Sequence, residues 1–311
     1  MKVIVVGVDL SPESLRAVEV AAHIATATDA QLVPVHAVPA IPVFADVSGL
    51  NPMPVYSPEL QDVVTRSSRA RVERELRSVL PATAVQQLDV QVGPAPFVIA
   101  DVARRRRADL VVLGGKHHGA LARGLGRSTA HYLVRTLDMP LLVVAQSAAP
   151  IRRVLAAVDF STLSIPTVEA ARQLAKLLDA HFRLLHVVEP FRLTHLAPDQ
   201  WDEGAYYRSS QEIFDRFAAP FKAIAKGDRV IRNGLAAETI VEEAGAWQAD
   251  LIVVGSHGKG WVDRILIGST TERLVTELPT SILVVPAKTI RQKPVASKAP
   301  QRSRKRPTAR R

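Results

Sequence analysis

The residues best suited to chemistry lie in the segment Gly255-Ser-His-Gly258-Lys-Gly-Trp-Val-Asp-Arg-Ile-Leu-Ile-Gly268-Ser269-Thr270. Glycines have no Cβ, so a backbone rich in them can approach a polyphosphate closely. A helix N-terminus aims free N–H groups at the same negative charge. The segment supplies both. It follows an aliphatic run that reads as a buried strand, Asp250-Leu-Ile-Val-Val254, and leads into a helix pattern, Thr271-Glu-Arg-Leu-Val-Thr-Glu277. Its spacing, Gly-x2-Gly-x9-Gly-Ser, is more demanding than a lone glycine pair. It is not the P-loop pattern, because no Gly-Lys-Ser/Thr follows a four-residue gap.

The other polar candidates are weaker. Asp9 and Asp159 each end an aliphatic strand, where an aspartate either caps the next helix through an Asx-type turn or meets a ligand. Ligand contact is favoured for Asp159 alone. His117, His118 and His257 read as exposed loop residues, because no carboxylate or cysteine at ligand spacing accompanies them. His36 and His186, at strand ends, read as hydrogen-bonded structural residues. Arg104-Arg-Arg-Arg107 ends a helix pattern, where cations meet the helix dipole and solvent. No nucleophile–base pair stands out, so no catalytic residue and no metal ligand is assigned.

The elements that must position these residues come in two copies. Val6-Gly-Val-Asp9-Leu-Ser11 corresponds to Ala156-Ala-Val-Asp159-Phe-Ser161, and Val35-His36-Ala-Val38 to Leu185-His186-Val-Val188, both offset by 150. Ala108-Asp-Leu-Val-Val-Leu-Gly114 matches Ala249-Asp-Leu-Ile-Val-Val-Gly255, and Leu141-Leu-Val-Val144 matches Ile282-Leu-Val-Val285, both offset by 141. The first copy therefore holds nine extra residues between its second and fourth strands. Ser11-Pro-Glu-Ser opens a helix with a capping serine, a proline in the first turn and an early acid. Strands at 31–38, 87–92, 109–113 and 141–145 alternate with helices near 60–80, 95–107 and after Ser128. Short strands separated by helices imply parallel sheets with right-handed crossovers. Ligands then sit beyond the carboxyl ends of the strands, where the Asp9 and Asp159 turns and both glycine loops lie. The stretch Pro39–Ser57, with its Pro, Gly and Asn, reads as a loop over the first copy's ligand edge.

Composition agrees. Hydrophobic residues make up 47% of the 311 and aromatics only 5%, a balance that suits aliphatic parallel strands buried on both faces. Cysteine is absent, which excludes a disulfide framework and a cysteine-based metal site. The start reads as a strand rather than a signal peptide, and no apolar run approaches membrane-span length, so a soluble cytoplasmic protein is expected. The net charge of +10 sits in residues 288–311, which carry ten Lys or Arg and no acid, leaving 30 basic against 30 acidic residues elsewhere. That tail cannot bury enough apolar surface to fold alone. Its cations could contact the phosphates of a nucleic acid or another polyanion. A solvated extension explains it equally well.

The second copy resembles the universal stress protein family, and the two copies together carry the resemblance from residue 1 to about 287. The fold implied is two tandem doubly wound (Rossmann-like) domains, 1–147 and 151–287, each with a mainly parallel five-stranded sheet flanked by helices, followed by a disordered basic tail, 288–311. The resemblance implies ATP with Mg²⁺ as ligand. It places Asp159 at the nucleoside, the backbone of Val187 at adenine, Gly255, Gly258, Gly268 and Ser269 at the phosphates, and Thr270 at the helix start. Asn233-Gly-Leu-Ala-Ala-Glu resembles the family's turn before the third helix, with Ala in place of its usual proline. The first copy keeps Asp9, Gly114 and Ser128 but has His117 and Arg127 at the second and third glycine positions and Ala37 in place of the valine. A Cβ at either glycine position blocks backbone approach, so this degenerate site is expected not to bind ATP. The family also implies that the last strands of the two copies pair, here within one chain, with a homodimer as a further option. The expected role is a non-enzymatic, regulatory nucleotide-binding module of the stress response. The alternative is a slow ATPase or adenylyl-transferring enzyme on the same fold.

Overall fold

The structure, a computed structural model, describes residues 1–40, 42–45, 53–115, 129–145, 150–189, 203–221, 224–257 and 267–287. The first half runs β1 (Val3–Gly7), α1 (Pro12–Thr28), β2 (Gln31–Val38), β3 (Pro42–Ala45), β4 (Met53–Tyr56), α2 (Pro58–Leu76), α3 (Ala82–Val85), β5 (Asp89–Val92), α4 (Ala95–Arg105), β6 (Leu110–Gly115), α5 (Thr129–Thr136) and β7 (Leu141–Ala145). The second runs β8 (Arg153–Val158), α6 (Ser164–Leu177), β9 (His181–Val188), α7 (Glu203–Ala218), β10 (Arg229–Asn233), α8 (Ala236–Trp247), β11 (Leu251–Gly255), α9 (Ser269–Glu277) and β12 (Ser281–Val285).

Local sequence explains the boundaries. Ser11 caps α1 by accepting a hydrogen bond from the Ser14 N–H, Pro12 occupies the first turn, and Asp29 ends the helix in a left-handed conformation whose N–H returns to the Ala25 carbonyl. The central strands are aliphatic on both faces, and all five residues of β7 and of β12 are buried. Such runs leave no solvent face, so helices must cover both sides.

Ten strands form one sheet in the order β10-β9-β8-β11-β12-β7-β6-β1-β2-β5. Each half contributes five mutually parallel strands. The halves meet where β7 and β12 run antiparallel. One core packs α1, α2, α6 and α7 on the face that carries Ile4, Val6, Leu142 and Leu283. The other packs α4, α5, α8 and α9 on the face that carries Val5, Val111, Val143 and Ile282. Both cores run unbroken through the junction, so the halves share one interior.

The stretch 39–57 is not simply a loop. Its ends pair as the antiparallel hairpin β3–β4, with Val43 opposite Val55 and Phe44 opposite Pro54. Pro42 and Pro54 suggest a break, but a two-stranded ribbon leaves one side of each strand unpaired, and proline's missing N–H is tolerated there. The nine extra residues of the first copy fall in this connection between β2 and β5. Residues 146–149, between the two halves, and the tail from 288 lie outside the described residues.

Candidate functional site

Parallel β8, β9 and β11 bring their carboxyl ends to one edge of the second half. Just past β8, Phe160 takes a left-handed conformation, φ 61°, which costs a bulky residue about 1–3 kcal/mol. Packing holds it there: its ring lies 4.0 Å from the His186 ring and 5.3 Å from that of Phe217. His186 is itself fixed, its Nδ1 donating to the Val158 carbonyl at 2.8 Å. The kink turns the chain back so that Asp159 Oδ1 accepts from the Ser161 N–H (3.0 Å) and from Ser164 Oγ (3.1 Å). The first half repeats the device, with Leu10 at φ 62°, His36 Nδ1 on the Val8 carbonyl (2.7 Å) and Asp9 Oδ1 accepting from the Ser11 N–H (2.9 Å). Both aspartates thus form Asx turns, and both strand-end histidines are structural clamps.

Opposite Asp159, the start of α9 is pinned to the end of β11. The Gly268 N–H donates to the Ser256 carbonyl (2.9 Å), and Thr271 Oγ1 donates to the Gly255 carbonyl (2.7 Å). Gly268 is the N-cap and supplies no side chain to cap the helix. The first turn, Ser269, Thr270 and Thr271, therefore presents its N–H groups and the positive end of the dipole toward the space in front of it. At the helix surface Arg273 bridges Glu277 (2.7 Å) and Glu238 (2.9 Å), tying α9 to α8. The hydrogen bonds to Glu277 and then Glu238 raise its pKa above the ordinary arginine value, so it stays cationic throughout. The equivalent first-half positions hold Phe97 and Tyr132, edge to face at 4.9 Å.

These elements enclose a cavity of about 470 Å³ lined by Asp159, Val187, Gly255, Gly268, Ser269 and Thr270. All the sequence-predicted residues of the second copy thus meet in one place, except Gly258, which lies outside the described residues. No sequence motif marks the rest of the wall. Tyr206, Ser210 and Ile213 of α7 line the cavity, as do Ser161 and Glu189. The three α7 residues sit at helical spacing on one face, a signal present in the sequence but attached to no motif. His257 is corrected from an exposed loop residue: it is half-buried, lines the cavity and has Nδ1 2.8 Å from Ser256 Oγ. Among the described residues no cluster of three His, Cys, Asp or Glu could hold a metal ion.

The corresponding cavity of the first half measures about 250 Å³ and is lined by Asp9, Ser11, Ala37 and Gly114. His117, Arg127 and Ser128 lie outside the described residues. Two features of the described residues narrow it. A Cβ on Gly114 would run into the backbone of Glu13, whereas the nearest atom to a Cβ on Gly255 would be Leu163 Cβ at 3.1 Å. The cause is the start of the helix: α1 begins at Pro12, but α6 begins at Ser164, two residues further along the repeat. The first turn of α1 therefore sits over the end of β6. Val275 and Leu278, reaching across from the second half, form part of the same wall.

The fold is a tandem α/β protein of the doubly wound class. The family model described as "Universal stress protein family" matches residues 1–145 and 150–286. The chain belongs to that family. A universal stress protein of Mycolicibacterium smegmatis is 28% identical over 296 residues, covering 91% of this chain and 96% of the relative. One from Mycobacterium tuberculosis strain H37Rv is 29% identical over 300 residues, covering 90% and 96%. The solved universal stress protein of Archaeoglobus fulgidus superposes with a TM-score of 0.64 at 16% identity, covering 91% of this chain and 98% of that one. A Pseudomonas aeruginosa structure described as a putative universal stress protein gives 0.61 at 16% identity, covering 93% and 94%. Among the described residues no helix is long and apolar enough to cross a membrane.

Proposed function

We propose that the second half binds ATP and that the protein works as a nucleotide-dependent regulatory module rather than as a fast-turnover enzyme. The observation that carries this reading is the cavity itself. One end is the uncapped first turn of α9, suited to phosphate; the other is walled by Val187 and Ile213, suited to a base. Its volume of about 470 Å³ falls inside the ordinary range for ligand pockets, whereas the 250 Å³ of the first half falls below it. Mg²⁺ would come with the triphosphate, held by phosphate oxygens and water. Among the described residues Asp159 and Glu189 are the carboxylates that line the site, and magnesium often needs no more than one or two.

Among the described residues the site offers no reacting pair. Ser256 Oγ lies 2.8 Å from His257 Nδ1, but Ser256 is 2% exposed and does not line the cavity, so its hydroxyl cannot reach a bound phosphorus. Bound ATP is expected to be recovered intact; turnover of many per minute with labelled ATP would favour the enzyme reading. Gly268→Arg tests the site directly. Gly268 has φ −62° and ψ 140°, open to any residue, so the variant keeps the backbone while filling the phosphate end. Calorimetry should detect one ATP per wild-type chain and none in the variant. Unchanged affinity would refute the assignment.

A further inference from the structure

Among the buried polar atoms of the described residues, Ser161 Oγ has no hydrogen-bond partner, although it belongs to the wall of the second-half cavity. A buried hydroxyl left unbonded is costly and uncommon, and it calls for a cause. The repeat supplies the comparison. Ser11, its counterpart, is fully used: its Oγ donates to Asp9 Oδ1 and accepts from the Ser14 N–H at 3.2 Å, capping α1. In the second half Ser164 Oγ has taken over the bond to the aspartate, and α6 starts two residues later with no side-chain cap. The same residue type at the same place in the repeat is spent on the fold in one half and released from it in the other. The release occurs in the half with the larger cavity. Ser161 follows β8, which lies in the sheet between β9, carrying Val187, and β11, leading to α9. A ligand spanning base to phosphates would pass it at its sugar and first phosphate.

We infer that Ser161 is a binding residue whose hydroxyl donates to an oxygen on the ribose–phosphate span of the nucleotide. This rests on the nucleotide reading above. The test uses the full chain as wild type, Ser161→Ala and Ser11→Ala, titrated calorimetrically with ATP and with adenosine and melted without ligand. Ser161→Ala should weaken ATP binding about tenfold, the size of one charge-assisted hydrogen bond, and should melt with the wild type. Ser11→Ala should lower the melting temperature. Equal weakening toward adenosine would place the acceptor on the ribose, and unchanged adenosine binding would place it on a phosphate. If wild type binds ATP and Ser161→Ala binds it as tightly, the inference fails while the site stands. It also fails if Ser161→Ala loses as much stability as Ser11→Ala. If wild type binds no ATP, the nucleotide reading itself falls.

Discussion

Leu142 on β7 faces Leu283 on β12, and each is the other's counterpart in the repeat. The flanking pairs obey the same local two-fold: Val143 faces Ile282, and Leu141 faces Val284. One chain thereby builds an isologous contact with itself, closing two strand edges that would otherwise be open to pairing. Above this seam α5 meets α9, where His131 Nε2 lies 2.9 Å from Thr276 Oγ1 and Arg135 pairs with Glu272. Positions 131 and 272 are equivalent, as are 135 and 276, so the backbone is two-fold while the chemistry is not. Two first halves would set His131 against Arg135 twice. Two second halves would set Glu272 against Thr276 twice. Only unlike halves make the ion pair.

Reversing that pair should show the selectivity. Arg135→Glu should destabilise the protein by about 0.5–1 kcal/mol, the scale of a partly exposed ion pair. Adding Glu272→Arg should recover most of the loss. Urea denaturation of the four proteins of the cycle measures the coupling, and additive losses would show that the contact is incidental.

The two strand-end glycines should respond differently to the same change. Gly114→Ala forces α1 off the end of β6 and should cost at least ~1–3 kcal/mol by overpacking. Gly255→Ala meets nothing nearer than Leu163 Cβ at 3.1 Å and should cost less. Thermal denaturation ranks them, and equal losses would contradict the close approach of α1.

Nucleotide stoichiometry tests the first half. Wild type should bind one ATP per chain. The double variant His117→Gly, Arg127→Gly restores the glycine spacing but leaves the first turn of α1 over Gly114 and the wall formed by Val275 and Leu278. It should therefore still bind one. A rise to two would show that the loop substitutions alone close the site.

Removal of residues 288–311 should leave melting temperature and ATP affinity unchanged, because every core and site residue named above precedes them. Any binding to DNA or RNA should disappear with the tail and, in the full chain, weaken steeply with added salt. Salt-independent binding that survives truncation would exclude this role for the tail.

Much of the fold is legible in the residues because backbone and burial impose local patterns. Aliphatic runs such as Leu251–Val254, the Ser11-Pro12 helix start and the two sequence offsets reflect forces that act over a few residues, and they lead to alternating strands and helices in two copies. The glycine spacing and Asp159 point to one edge of one sheet for the same reason, since parallel topology sends every strand's carboxyl end the same way.

Other features depend on residues far apart in the chain. The hairpin β3–β4 depends on cross-strand pairs that its prolines obscure. Tyr206, Ser210 and Ile213 become a cavity wall only once α7 packs against β9. The narrow first cavity follows from α1 lying over Gly114 and from Leu278 crossing the seam, contacts separated by about 100 or more residues. The two serines after the aspartates look alike in sequence. Only a two-residue shift in where each helix begins decides that Ser11 caps α1 and Ser161 is left facing the site. Local propensity says which residues can cap a helix, but packing against the rest of the sheet sets where the helix starts.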